Sequence, residues 1–192
     1  MQVWHTFPIS LSMPNPNKLI IASDGSCLKN PGGAIGWAWA DNRGRWQANG
    51  YPTGSNQKAE LLGLLSIFYA FPNTSIHVQL DSQYVLNIVT KWMFSWKKNG
   101  WFRDEQRKQP VSNLIYVKAL YEAMKIRKQK NLVTTFEWVK GHASNPLNNK
   151  ADVEAGLAAK RIKEGKNGYA DSAKNTNSPR QTLMMETVLP SK

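Results

Sequence analysis

The chain has 192 residues, enough for one domain with flanking segments and a full apolar core. Its net charge of +12 implies an anionic partner, most simply nucleic acid, or else a basic surface kept for solubility. A single Cys excludes an internal disulfide, a CxxC redox pair and a cysteine zinc cluster, and no run approaches the ~20 apolar residues of a membrane-spanning helix.

Residues 1–17 carry Pro8, Pro14 and Pro16 and read as an irregular N-terminal extension. They lack the charged start, apolar middle and small-residue cleavage site of a signal peptide, so a soluble, cytoplasmic protein is expected. Lys18–Asp24 is a short, continuously apolar strand, of the kind found in the middle of a sheet. The turn Asn30-Pro31-Gly32-Gly33 leads to a strand over Ala34–Ala40, and Asp41-Asn42-Arg43-Gly44 turns the chain into Arg45–Tyr51. These three runs predict an antiparallel meander.

Asn56–Phe71 is helical, with Leu61, Leu64, Leu65 and Phe68 on one face and Pro72 as its stop. Leu62, Ile67 and Tyr69 make its other sides apolar too, which predicts a buried helix. Ser75–Leu80 alternates Ile76, Val78 and Leu80 as a strand does, and Gln83–Thr90 returns to helical spacing. Ser112–Lys130 is a long amphipathic helix, Leu132–Val139 a fifth strand and Leu147–Lys163 a last helix. The expected fold is therefore α/β: a five-stranded mixed sheet, three antiparallel meander strands and then parallel ones, with helices on both faces. The folded domain is assigned to residues 18–163, and 164–192 to a polar tail expected to be disordered.

Four carboxylates stand out in this basic chain. Singly, Asp24 reads as a turn residue, Asp81 as a helix N-cap and Asp152 as a solvated helix position. Glu60 is harder to explain, because its helix is apolar nearly all round and offers it no partner one turn on. If the runs ending at Asp24 and Asp81 are adjacent parallel strands, both carboxylates emerge at one sheet edge, where α/β sheets place their ligands. Buried carboxylates need a metal or a cation to share the site. Oxygen-only ligands suit Mg²⁺ or Mn²⁺ rather than zinc, and two such ions can drive in-line phosphodiester hydrolysis. The sequence holds no Walker-type phosphate loop.

Asp24-Gly25-Ser26-Cys27-Leu28-Lys29-Asn30-Pro31-Gly32 resembles the first motif of type-1 ribonuclease H, Lys58-Ala59-Glu60-Leu61 its second and Asp81-Ser82-Gln83-Tyr84-Val85 its third. Trp138-Val139-Lys140-Gly141-His142-Ala143 with Asn148-Asn149-Lys150-Ala151-Asp152 resembles its last. The match is collinear from Lys18 to Arg161. The resemblance implies an RNase H-like fold and hydrolysis of the RNA strand of an RNA–DNA hybrid, leaving 3′-hydroxyl and 5′-phosphate ends. It makes Asp24, Glu60, Asp81 and Asp152 the metal-binding catalytic carboxylates and His142 a mobile residue that assists proton transfer or product release. By the same resemblance Cys27 (through its backbone), Asn30, Asn56, Gln57 and Gln83 contact the hybrid, and Asn148, grouped with these substrate contacts, matches a position that supports the catalytic aspartate loop. Gln57 stands where many relatives carry Asn.

Lys91–Lys108 interleaves Trp92, Trp96, Lys97, Lys98, Trp101, Arg103, Arg107 and Lys108, which suits phosphate contact plus packing on sugars. This resembles the basic protrusion of bacterial members, with Trp96, Lys97, Lys98 and Trp101 as candidate contacts. A solvated helical hairpin with inward Trp residues is the alternative. The chain shows neither a eukaryotic hybrid-binding module nor a polymerase domain, so a free-standing bacterial-type or phage enzyme acting as a monomer is expected. Two rivals stand beside it. One is another nuclease or strand-transferase of the same fold, and the other a non-catalytic hybrid-binding protein.

Overall fold

A computed structural model describes residues 18–173. The N-terminal extension and residues 174–192 lie outside the described residues. The meander forms from β1 (Leu19–Cys27), β2 (Ile35–Asp41) and β3 (Trp46–Tyr51), followed by α1 (Asn56–Ala70) and β4 (Ile76–Leu80). After β4 come α2 (Gln83–Asn87), a π-helical turn (Ile88–Trp92) and α3 (Met93–Lys98), then α4 (Leu114–Gln129), β5 (Thr134–Trp138), α5 (Pro146–Lys163) and β6 (Ala170–Asp171). The sheet order is β5-β4-β1-β2-β3-β6, parallel at β4–β1 and β4–β5 and antiparallel elsewhere.

The sheet has six strands rather than the five expected. The sixth is two residues long, pairing Ala170 with Ala48 and Asp171 with Gln47, too short to leave any alternation in sequence. It is fastened by side chains instead, with Gln47 donating to the Tyr169 hydroxyl and that hydroxyl donating to Asp171. Ala170–Asp171, within what reads from sequence as the start of the tail, thus lie beside β3.

Strand alternation sorts the sheet's two faces. Ile35 and Trp37 of β2 pack with Ala59 and Leu62 of α1, while Ala38 packs with Ala155 and Ala158 of α5. A Cβ at Gly36 would lie 2.1 Å from the Ala155 carbonyl oxygen, so only glycine lets α5 cross β2 this closely. The larger core lies on the α1/α4 side, where Ile21, Leu61, Leu64, Ile67, Ile76 and Leu80 are all 0–1% exposed. Each such side chain contributes about 1.5–3 kcal/mol relative to leaving it in water. Ser55 caps α1 by accepting the Lys58 N–H, and the helix is buried on nearly every side, as its composition predicts. On the opposite face α5 lies against β1, β2 and β3.

The helix expected over Gln83–Thr90 runs on to Lys98 through the π turn. A π turn adds a residue to the helical repeat, and beyond it Met93 and Trp96 face the core while Lys97 and Lys98 remain exposed.

Candidate active site

The register of β1 and β4 explains how two of the carboxylates meet. Parallel pairing ends at Ser23↔Leu80, so Asp24 and Asp81 are the next residues on neighbouring strands. Asp24 stands opposite Ala38, on the face covered by α5, and Asp81 lies on the same face, where it meets Asn148. Glu60 arrives from α1 past Gly25, where an added Cβ would lie 2.3 Å from the Glu60 backbone nitrogen. At Gly63 a Cβ would sit 3.2 Å from the Asp24 carbonyl oxygen, so backbone touches backbone behind the site. Asp152, in the second turn of α5, completes the rim.

One oxygen from each of Asp24, Glu60 and Asp81 lies within 4.8 Å of the others. The cleft they share has a volume of about 390 Å³ and is also lined by Gly25, Ser26, Cys27, Asn56, Ser82, His142 and Asp152. Burial, then the Asp81 charge, pushes the Asp24 carboxyl up to about 7. Burial, then Asp24 and Asp81, raises Glu60 well above the usual carboxylate range. Like charges held together out of water favour uptake of a proton or a cation. The Asp81 Oδ1 atom is buried and has no hydrogen-bond partner among the described residues. Three converging carboxylates with one orphaned oxygen fit a hard divalent cation.

The local structure removes the cap reading of Asp81 and the turn reading of Asp24. Ser82, not Asp81, caps α2 by accepting the Val85 N–H, which leaves the Asp81 carboxylate to line the cleft and accept from Asn148. Asp24 lies within β1 rather than in a turn, its Oδ1 accepting the Gly25 N–H at 2.6 Å. His142 sits in left-handed backbone (φ 52°), with its ring 83% exposed and Nδ1 3.5 Å from Asp152 Oδ2.

Among the expected hybrid contacts, Cys27 and Asn56 line the cleft, and Gln57 and Gln83 are exposed nearby at the starts of α1 and α2. Asn30 Oδ1 accepts the Asn56 N–H at 3.1 Å and ties the 28–33 turn to α1. Lys97 and Lys98 are exposed at the end of α3. Trp101 is half-buried edge-on against Tyr121, with the Lys97 and Lys118 ammonium groups each 5.6 Å from its ring centre.

Two residues of the expected contact set are turned inward. Trp96 is 8% exposed and packs in the core, consistent with its i, i+4 spacing from Trp92, which is 38% exposed. Asn148 is 1% exposed and donates from Nδ2 to Asp81 Oδ2 at 3.1 Å, so it holds a carboxylate rather than facing solvent. Sequence reasoning passed over Asn145, whose Oδ1 caps α5 by accepting the Leu147 and Asn148 N–H groups. The Asn145-Pro146 pair, a cap residue before proline at the first helical position, is the signal that would have found it. Gly141 was noted only as part of a motif, yet a Cβ there would lie 2.8 Å from Asp81 Oδ2.

Among the described residues no helix is long and apolar enough to cross a membrane. The RNase H family profile matches residues 16–160. Ribonuclease H of Tropheryma whipplei (strain Twist) is 35% identical over 145 residues, covering 74% of this chain and 85% of that protein. Ribonuclease H of Rhizobium etli is 35% identical over 150 residues, covering 76% of this chain and 94% of that protein. In fold the chain is similar to the crystal structure of LC9-RNase H1, a type 1 RNase H with the type 2 active-site motif. That match has a TM-score of 0.66 at 22% identity, over 91% of this chain and 86% of that one. It is also similar to the foamy viral protease-reverse transcriptase in complex with dsDNA, with a TM-score of 0.64 at 17% identity, over 76% of this chain and 97% of that one. With a family profile spanning well over half its length and relatives matched along most of theirs, this chain belongs to the RNase H family.

Proposed function

We propose that this protein is an endoribonuclease that hydrolyses the RNA strand of RNA–DNA hybrids, leaving 3′-hydroxyl and 5′-phosphate ends. The observation that carries this reading is the convergence of Asp24, Glu60 and Asp81 at one sheet edge in a protein of net charge +12. A silent binding protein has no use for such a cluster, because buried like charges destabilise the fold and repel phosphates.

Asp24, Glu60, Asp81 and Asp152 are the residues that would hold Mg²⁺, two ions with substrate bound, with Mn²⁺ as a substitute. When bound, such a pair supplies charge for the attacking and leaving oxygens of an in-line phosphodiester displacement. The chain's own groups do the rest. Glu60 and Asp81 would share with Asp24 the holding of those ions. His142, on its exposed loop beside Asp152, reaches the phosphate and carries a proton to or from it.

The Cys27 backbone and the Asn30, Asn56, Gln57 and Gln83 amides read the RNA strand through its 2′-hydroxyls across the wide minor groove. Lys97 and Lys98 contact phosphates of the DNA strand, and Trp101 holds that basic edge through its packing on Tyr121. The half-buried free Cys27 suits a reducing compartment, and the reading places the enzyme in the cytoplasm as a monomer.

The test is cleavage of an end-labelled RNA–DNA hybrid with Mg²⁺, beside RNA–RNA and DNA–DNA duplexes, for wild type and Asp81→Asn. Hybrid-only, metal-dependent cleavage that disappears in the variant is the expected result. Hybrid that is bound but never cut with Mg²⁺ or Mn²⁺ would overturn it in favour of a binding protein.

A further inference from the structure

The face of β4 and β5 beside α5 carries a line of polar side chains that ends at Asp81. His77 Nδ1 lies 2.8 Å from Thr135 Oγ1, and His77 Nε2 lies 3.0 Å from Glu137 Oε2. Gln79 Nε2 donates to the same Glu137 oxygen at 3.1 Å, and Gln79 Oε1 accepts from Asn145 Nδ2 at 3.0 Å. Asn145 Oδ1 in turn accepts the Asn148 N–H at 3.0 Å, and Asn148 donates to Asp81.

The amide orientations of Gln79 and Asn145 are fixed from both ends. A carboxylate only accepts, so Gln79 presents its NH₂ to Glu137 and its carbonyl to Asn145. Backbone N–H groups only donate, so Asn145 presents its oxygen to α5 and its NH₂ to Gln79. The hydrogen bond from His77 keeps the Glu137 carboxyl below the usual carboxylate range, which preserves it as an acceptor.

The spacing gives this line a mechanical meaning. Gln79 and Asp81 are two apart on a strand and face the same side, while Asn145 and Asn148 are three apart at the start of a helix. Two hydrogen bonds therefore clamp the first turn of α5 to the end of β4. Neither Asp81 nor Asn148 has a further partner for its Oδ1 atom among the described residues. The clamp is therefore what sets the angle of the Asp81 carboxylate.

We propose that Gln79 and Asn145 are positioning residues that hold Asp81 for the metal through Asn148, with Glu137 fixing the polarity of the line. This rests on the reading of Asp81 as a metal ligand. Two neutral variants break the clamp in different places. Gln79→Leu removes the link without touching the cap, and Asn145→Ser keeps a helix cap while losing the amide.

The expected result is a Mn²⁺ dissociation constant, measured by calorimetry without substrate, that rises about 3–10-fold in each variant, below the usual loss for a direct partner of a ligand. Melting temperature in EDTA stays within about 2 °C of wild type, since neither change removes buried apolar contact. Hybrid cleavage loses kcat by a similar factor with KM unchanged, and the double variant is no worse than either single one. Variants that bind Mn²⁺ and cleave like wild type would overturn the proposal, as would a loss confined to KM. A wild type that binds Mn²⁺ but does not cut hybrid refutes the ribonuclease reading while leaving the Mn²⁺ comparison intact.

Discussion

The acidic cluster is expected to weaken the fold, and Asp24→Asn measures by how much. Burial and the Asp81 charge lift the Asp24 carboxyl from 3.8 to about 7, so between those values the folded protein binds a proton that the unfolded chain does not. Stability from this group is therefore complete below about pH 4 and is lost as pH rises through 7. At about 1.4 kcal/mol per pH unit, the loss at pH 8 has a ceiling of about 4 kcal/mol. Glu60 is raised by burial and by Asp24 and Asp81, so part of the cost stays with it when one charge is removed, and the expected relief is on the order of 2 kcal/mol. Asparagine keeps the oxygen that accepts the Gly25 N–H, so little else changes. Thermal unfolding in EDTA should show the variant melting about 4–8 °C higher than wild type at pH 8, with the gap closing near pH 4. Added Mg²⁺ should raise the wild-type melting temperature and leave the variant nearly unmoved. A variant less stable than wild type at pH 8, or a gap that ignores pH, would refute the reasoning.

Three further outcomes can be checked alongside. Gly25→Ala should destabilise by about 2–3 kcal/mol in denaturant unfolding, because its Cβ meets α1 backbone rather than a yielding side chain, and should lower cleavage sharply by displacing Glu60. Arg127→Met should cost about 3 kcal/mol, since its guanidinium serves the Phe71 and Thr74 carbonyls and the Thr134 hydroxyl. These groups lie at the end of the sheet away from the carboxylates, so kcat at 25 °C should not change. Lys97→Ala and Lys98→Ala should raise KM with kcat intact and flatten the slope of log affinity against log salt by about 1 for each phosphate contact removed.

How much of this could be read from the chain differs between sheet and site. The meander, the buried helix and the parallel strand were legible because each carries a period and a stop, such as Leu61, Leu64 and Phe68 before Pro72. Asp24, Glu60 and Asp81 were legible as costly acids at the ends of apolar runs, and their convergence follows from one register, Ser23↔Leu80. The sixth strand was not legible, because two residues show no alternation and what fastens them is Tyr169, 122 positions from Gln47. Trp96 and Trp101 share a composition that reads as one binding surface, but Trp96 lies on the buried face of α3 while Trp101 follows the left-handed turn that ends that helix and is half-buried. The Gln79–Asn145 link joins residues 66 apart that carry no charge and sit in no period, so only the folded structure brings them together.

The packing around the carboxylates follows from the need to hold mutually repelling groups still. Carboxylates on flexible supports would swing apart and into water, so the cluster requires neighbours that cannot move. The chain meets this by bringing backbone against backbone: β1 touches α1 at Gly25 and Gly63, α5 crosses β2 at Gly36, and Gly141 lies against Asp81. Each approach is closed to any residue with a Cβ, or nearly so, and each lies beside an element that carries one of the four acids. Small residues on α5, among them Ala151, Ala155, Ala158 and Ala159, extend the same close contact along the helix that bears Asp152. The stability lost to like charges at the edge is offset by the large apolar core on the other face of the sheet. A substitution that forces these approaches apart should therefore lower activity by letting the carboxylates separate, and the backbone packing it breaks should cost more stability than the relieved charge repulsion returns, as at Gly25.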